Sequence, residues 1–200
     1  MDNLIEKENK IYQTTELNPE QKLKIDRDLS FIDFITKRSK DFGYRTIVSG
    51  GYSVDGSLGQ ITRPHNDIDM QIYGNKSDTQ IIKRLIDDLN NNQKLELKLK
   101  DKGRQQYYHS FFIEGNGIGA DIYYIHVLGD PFEYEKIVIK DDGTKTDKHP
   151  YNTNNVVLNG VSFEAIGPDE QLKDILEKRN RGDQLKIRHN QDITNLKLLK

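Results

Sequence analysis

Three groups of residues in this 200-residue chain carry side chains suited to phosphate and metal chemistry. The first is Ser49-Gly50-Gly51, set between the strand-forming run Arg45-Thr46-Ile47-Val48 and a segment from Tyr52 to Gly59 that reads as a brief helix. Paired glycines let a backbone approach a ligand closely, and the free N–H groups at a helix start suit a phosphate anion. The same pair also serves a plain strand-to-helix turn. The second group is Asp67-Ile68-Asp69, at the head of a run to Tyr73 that alternates with period two. Asp67, Asp69 and Gln71 then share one face, and Ile68, Met70 and Ile72 the other. Two carboxylates on one face can grip a single hard cation, although a wet strand face tolerates them too. Aspartate is a poor strand former, so two of them inside a strand-like run ask for a reason. The third is Asp121, within the apolar run Ala120 to Val127. A carboxylate there must end a strand, face a cavity or meet a cation. If its strand lies beside that of Asp67 and Asp69, three carboxylates meet on one surface, the arrangement that magnesium-assisted phosphoryl or nucleotidyl transfer requires.

The elements that must position these groups can be read from periodicity. Residues 1–18 form a polar N-terminal arm. A helix is expected from Pro19 to Phe42, with Asn18 as N-cap, Pro19 in the first turn and Gly43 closing it. A second amphipathic helix carries Ile81, Ile82, Leu85, Ile86 and Leu89, capped by Ser77 or Asp78 and ended by Asn90-Asn91-Asn92. Strands are expected at Leu95 to Leu99, Gln106 to Ile113 and Ala120 to Val127, near enough in sequence to pair antiparallel. Residues 129–155 read as an exposed excursion with a turn at Asp141-Asp142-Gly143. Val156 to Ile166 returns as strand, folded at Asn159-Gly160. Helices follow from Asp169 to Lys178 and from about Asp192 onward. The pattern is α/β (α+β): a mixed, largely antiparallel sheet flanked by helices over residues 19–167, then a small helical, basic extension over 168–200.

Composition bounds the chemistry. With no cysteine, there is no disulfide framework, thiolate zinc site, iron–sulfur cluster or cysteine nucleophile, so a metal must take oxygen or imidazole ligands. The acidic start Met1-Asp2-Asn3 is unlike a signal peptide, and no apolar stretch approaches 18 residues, so the chain reads as cytoplasmic with no membrane partner. Thirty Lys and Arg against 32 Asp and Glu, a net charge of −2, argue against bulk nucleic-acid binding. That balance conceals a division, because residues 171–200 carry +4 and the remainder −6.

The run Ser49-Gly50-Gly51-Tyr52-Ser53-Val54-Asp55, followed by Gly59-Gln60-Ile61-Thr62-Arg63-Pro64-His65-Asn66-Asp67-Ile68-Asp69, resembles the signature of the polymerase-β-like nucleotidyltransferases. It is most similar to the lincosamide and aminoglycoside 2″-type antibiotic nucleotidyltransferases, with Tyr52, Asp55, Gly59, Arg63 and His65 matching beyond the glycines and aspartates. The resemblance extends through Asp121 and Asp141-Asp142-Gly143, and more weakly over Val161 to Leu172 and the basic tail. It departs at Asn195, where family members tend to carry a second aspartate three positions after the one matched by Asp192.

The resemblance implies that Asp67 and Asp69 bind the magnesium that holds an ATP triphosphate, with Ser49, Gly50 and Gly51 touching phosphate. Asp121 is then a metal ligand, the base for the substrate hydroxyl, or both. Arg63 and His65 organise the nucleotide site from the preceding loop. The implied reaction moves AMP from ATP to a hydroxyl of a small molecule, a lincosamide or aminoglycoside, and releases pyrophosphate. Modification of a protein or RNA, which the basic tail motivates, and a non-catalytic nucleotide-binding module are the alternatives. A homodimer is compatible with all three. Other candidates carry less: Gly115-Asn116-Gly117-Ile118-Gly119 precedes a strand where a dinucleotide fingerprint would open a helix, and the five histidines show no ligand spacing. Tyr107, Tyr108, Phe111, Phe112, Tyr123 and Tyr124 suit a core more than a base pocket, and Lys178, Arg179, Lys186 and Arg188 suit a solvated helix face.

Overall fold

The computed structural model describes residues 16–75, 79–105, 108–128, 131, 137–139, 145–147, 152–180 and 187–199. The expected caps Ser77 and Asp78, the turn at Asp141-Asp142-Gly143 and most of the N-terminal arm lie outside them. Helix α1 (Pro19–Asp41) begins at a capping box: the Asn18 side chain accepts the Gln21 N–H at 2.8 Å, and Gln21 Oε1 accepts the Asn18 N–H at 2.9 Å. Gly43, at φ +80°, turns the chain out of the helix. Strand β1 (Arg45–Ser49) runs into helix α2 (Gly50–Leu58), and strand β2 (Ile68–Gly74) leads to helix α3 (Gln80–Gln93).

The next strands are β3 (Lys98–Arg104), β4 (His109–Gly115) and β5 (Ile118–Leu128), followed by the short strands β6 (Ile137–Ile139) and β7 (Lys145–Asp147) within the expected excursion. Strands β8 (Thr153–Leu158) and β9 (Val161–Ile166) and helices α4 (Pro168–Asn180) and α5 (Ile187–Lys197) complete the chain. Both tight hairpins turn through two residues at positive φ, Asn116-Gly117 and Asn159-Gly160, which explains the glycine-rich run before β5 without a nucleotide. Strand β3 starts three residues later than expected. Asn90 clasps both backbone groups of Leu97 at 2.9 and 3.0 Å, which takes residues 95–97 out of the ladder.

The main sheet runs β3-β4-β5-β2-β1-β9-β8, with parallel pairs only at β2/β5 and β1/β9 among the described residues. It is thus the mixed, largely antiparallel sheet expected. One face is covered by α1 and α3, whose Ile25, Leu29, Ile32, Ile35, Ile82 and Leu85 bury against Val48, Met70, Ile72 and Ile122. That cluster fixes β2 and β5 side by side, because Ile68, Met70 and Ile72 of β2 and Ile118, Ala120, Ile122 and Tyr124 of β5 are all buried on one face while the intervening residues face the other way. A smaller cluster of Val54, Leu172, Ile193 and Leu196 packs α2 to α4 and α5, so the C-terminal helices bear directly on the helix that follows the glycine pair.

Ile72 is fully buried at the centre of β2. Ile72→Ala is expected to lower stability by about 2–5 kcal/mol, the cost of a lost side chain plus its cavity. Urea unfolding reads this as a lower midpoint.

Candidate active site

The sheet registers align Phe112, Asp121, Asp69 and Ser49 across four adjacent strands. Asp69 and Asp121 are direct neighbours on the parallel pair β2/β5, and Ser49 opposite Asp69 is the last residue before α2. Thus the glycine turn and two of the three carboxylates meet at one point. Asp67 does not share the strand with Asp69 as expected. β1 ends opposite Asp69 and β5 begins pairing at Ile68, so Asp67 has no ladder partner and stands in the loop just before β2. It still contributes to the same surface. Burial raises the Tyr123 hydroxyl above the usual tyrosine range, and Asp69, Asp121 and Asp67 all push it further the same way, with Tyr108.

The glycines are required by contact, not by turn geometry alone. Gly50 sits at φ +62°, and a β-carbon there would lie 2.2 Å from Asp69 Oδ2. At Gly51 the β-carbon would lie 2.1 Å from His65 Nδ1. Ser49 makes no side-chain cap to α2, and the first turn of α2 holds no acidic residue. The leading N–H groups of α2 lie at the carboxylate end of the sheet, beside Asp69.

Beneath the glycines lies a buried polar chain. His65 is 4% exposed, and its Nε2 stands 2.6 Å from Asp55 Oδ2 while its Nδ1 stands 2.8 Å from Arg63 Nη1. A guanidinium has only N–H to offer, so Nδ1 accepts and Nε2 carries the proton donated to Asp55. The other Asp55 oxygen accepts from the Thr62 hydroxyl at 2.6 Å and the Thr62 N–H at 3.2 Å. Arg63 Nη2 continues the chain to Asp192 on α5, at 3.0 Å. The Tyr52 ring packs 4.5 Å from the His65 ring, and its hydroxyl donates to Asp28 Oδ2 on α1 at 2.6 Å, where Lys24 also binds at 2.6 Å. Burial raises the Asp28 carboxyl above the ordinary range, opposed by hydrogen bonds from Lys24 and Tyr52.

Arg63 and His65, expected to organise the nucleotide site from the loop before β2, lie beneath the glycine turn, bonded to each other and to Asp192 and Asp55. Asp55 and Asp28 are site-building residues that the sequence reading did not assign. Asp55 stood inside the quoted motif. Asp28 had a usable signal, since it lies three residues after Ile25 and four before Ile32 on the apolar stripe of α1, where a carboxylate must find partners. Asn195, the departure from the family pattern, is fully buried on α5.

Among the described residues no three carboxylate or imidazole groups close on a common metal position. Asp69 and Asp121 nevertheless fit magnesium, which is commonly held by one or two carboxylates with substrate phosphates and water completing its shell. Lys102 Nζ stands 2.5 Å from Asp121 Oδ1.

A strand-to-helix glycine turn facing paired carboxylates on neighbouring sheet strands is suited to phosphoryl or nucleotidyl transfer. The chain belongs to the aminoglycoside-2''-adenylyltransferase family, whose model matches residues 32–141, and is accordingly a nucleotidyltransferase. Solved structures share the fold. The lincosamide antibiotic adenylyltransferase LnuA, bound to lincomycin, aligns over 93% of this chain and 100% of its own at TM-score 0.60 and 16% identity. The enzyme ANT(2")-Ia in complex with adenylyl-2"-tobramycin aligns over 85% of this chain and 87% of its own at TM-score 0.53 and 13% identity. No curated protein matches the chain in a sequence comparison. No helix among the described residues is long and apolar enough to cross a membrane.

Two outcomes test the buried chain. Asp192→Asn leaves the Arg63 guanidinium without its carboxylate, and a loss of about 3–5 kcal/mol is expected from urea unfolding, as for a broken buried pair. The raised Asp28 carboxyl means that the folded state holds its proton to higher pH than the unfolded chain does. Stability from this group is therefore full below the ordinary aspartate range and is lost as pH rises through the raised value. The stability of Asp28→Asn relative to the native protein should accordingly increase with pH over that interval; a constant difference would contradict the assignment.

Proposed function

We propose that the protein is a magnesium-dependent adenylyltransferase that moves AMP from ATP to a hydroxyl of a small antibiotic of the lincosamide or aminoglycoside type and releases pyrophosphate. The observation that carries this reading is the row Asp121–Asp69–Ser49, which sets two carboxylates against the start of α2. Family membership supports AMP as the group transferred, and the structures of LnuA with lincomycin and of ANT(2")-Ia with adenylyl-2"-tobramycin support the acceptor class.

In this reading Asp69 and Asp121 hold the metal, with Asp67 adding negative charge from the loop. When bound, magnesium neutralises charge on the phosphates and polarises the one under attack. Ser49 and the N–H groups of Gly50 and Gly51 bind phosphate oxygens at the head of α2. Asp121 accepts the proton of the acceptor hydroxyl as its oxygen bonds to the α-phosphorus. The bond from that phosphorus to the β-phosphate bridging oxygen breaks, and pyrophosphate carries the electron pair away. His65, Arg63 and Asp55 act through the glycine turn by fixing its backbone. Their contribution is positioning, on which an in-line displacement depends heavily.

Asp69→Asn and Asp121→Asn are each expected to lower pyrophosphate release in the presence of antibiotic about a thousandfold, the upper scale for removing one preorganised electrostatic group. Circular dichroism should show both variants folded. Full activity in either variant would refute the assignment, and release driven by protein or RNA but by no antibiotic would refute the acceptor class.

A further inference from the structure

Strand β3 is an edge strand of mostly charged residues, and its ladder with β4 is broken at one place. Asp101 pairs with Phe111 and Gly103 with Ser110, so Lys102 is the extra residue of a β-bulge. The bulge is built, not incidental. The Asp101 carboxylate accepts the Gly103 N–H at 2.7 Å and holds His109 Nε2 at 2.6 Å, while Gly103 adopts φ +87°. The side chain thus re-aimed runs across β4, with its ammonium 4.6 Å from the centre of the Phe112 ring, and ends on Asp121 Oδ1. Phe112 is the direct neighbour of Asp121 in the sheet, and Asp69 is the next one along.

We propose that Lys102 is a positioning residue of the active site: it holds Asp121 in line with Asp69 and neutralises their mutual repulsion until a divalent cation displaces its ammonium from Oδ1. Metal binding is then an exchange of cations at one carboxylate oxygen, and the bulge exists to deliver the first of them. Three features set the lysine there: the inserted residue, the Asp101 clasp that holds the bulge and the aromatic ring under the ammonium. The Lys102 side chain is 41% exposed and that of Asp121 20%, so the ammonium can leave into solvent and the carboxylate stays open to an incoming cation. The inference rests on Asp121 being a metal ligand, and the test separates the two.

Binding of Mn2+ to the nucleotide-free full chain, read as loss of the free-ion electron paramagnetic resonance signal, should be compared in the native protein, Lys102→Met, Lys102→Arg, Gly103→Ala and Asp121→Asn. Lys102→Met should bind Mn2+ about fivefold or more tightly, because the competing cation is gone. Lys102→Arg should restore affinity toward the native value. Gly103→Ala adds a β-carbon that meets nothing within 4 Å, so it acts only through the strained backbone of the bulge, and should shift affinity in the same direction by less. Unchanged or weaker binding in Lys102→Met, with binding lost in Asp121→Asn, would overturn the role of the lysine while leaving the metal site standing. Unchanged binding in Asp121→Asn would overturn the metal site itself. A lysine that served stability alone would lower the unfolding midpoint without moving Mn2+ affinity.

Discussion

Where α2 begins, the backbone passes so close to Asp69 and His65 that neither Gly50 nor Gly51 has room for a β-carbon. Much of the site follows from that double contact. It brings the N–H groups of a helix start against a carboxylate on the neighbouring strand, which ordinary packing would separate by the width of two side chains. A negative group facing the positive end of a helix is favourable, and the turn sets the two on the same side of the sheet. A ligand that carries both anionic oxygens and a hard cation is complementary to that surface, and a metal-bound nucleoside triphosphate is such a ligand.

Keeping a backbone in so tight a place needs support from below, and the molecule supplies it with charge. Asp55, His65, Arg63 and Asp192 alternate acceptors and donors from α2 to α5, and Tyr52 ties the same imidazole to Asp28 on α1. Buried groups of this kind are costly when incomplete and specific when satisfied. They join the N-terminal helix, the glycine turn and the C-terminal helix into one unit. The basic tail, whose cations read from sequence as a solvated helix face, is tied to the site by an acidic residue, Asp192, from beneath.

Much of this was legible in the sequence because each piece obeyed a local rule. Asn18-Pro19 announced α1, the alternation after Asp67 announced β2, and Asn159-Gly160 announced a hairpin. The glycines and aspartates carried a resemblance specific enough to give the class of enzyme. What could not be read was whatever depended on partners distant in sequence. The displacement of Asp67 from the strand is decided by where β1 and β5 stop pairing, and the late start of β3 by a clasp from Asn90. The burial of Arg63 and His65 depends on Asp192 and Asp55, partners that spacing alone does not show. The bulge at Lys102 has no periodic signal at all, because an inserted residue in a uniformly charged edge strand leaves the pattern unchanged.

In the proposed reaction, the row of Asp121 and Asp69 against the head of α2 directs attack at the α-phosphate of a nucleotide. Incubation with magnesium, a lincosamide and aminoglycoside panel, and ATP labelled at either the α- or the γ-phosphate tests it most directly. α-Label on an antibiotic and γ-label in pyrophosphate alone are expected. Transfer of γ-label to the acceptor, or no transfer of α-label to any antibiotic, would contradict it.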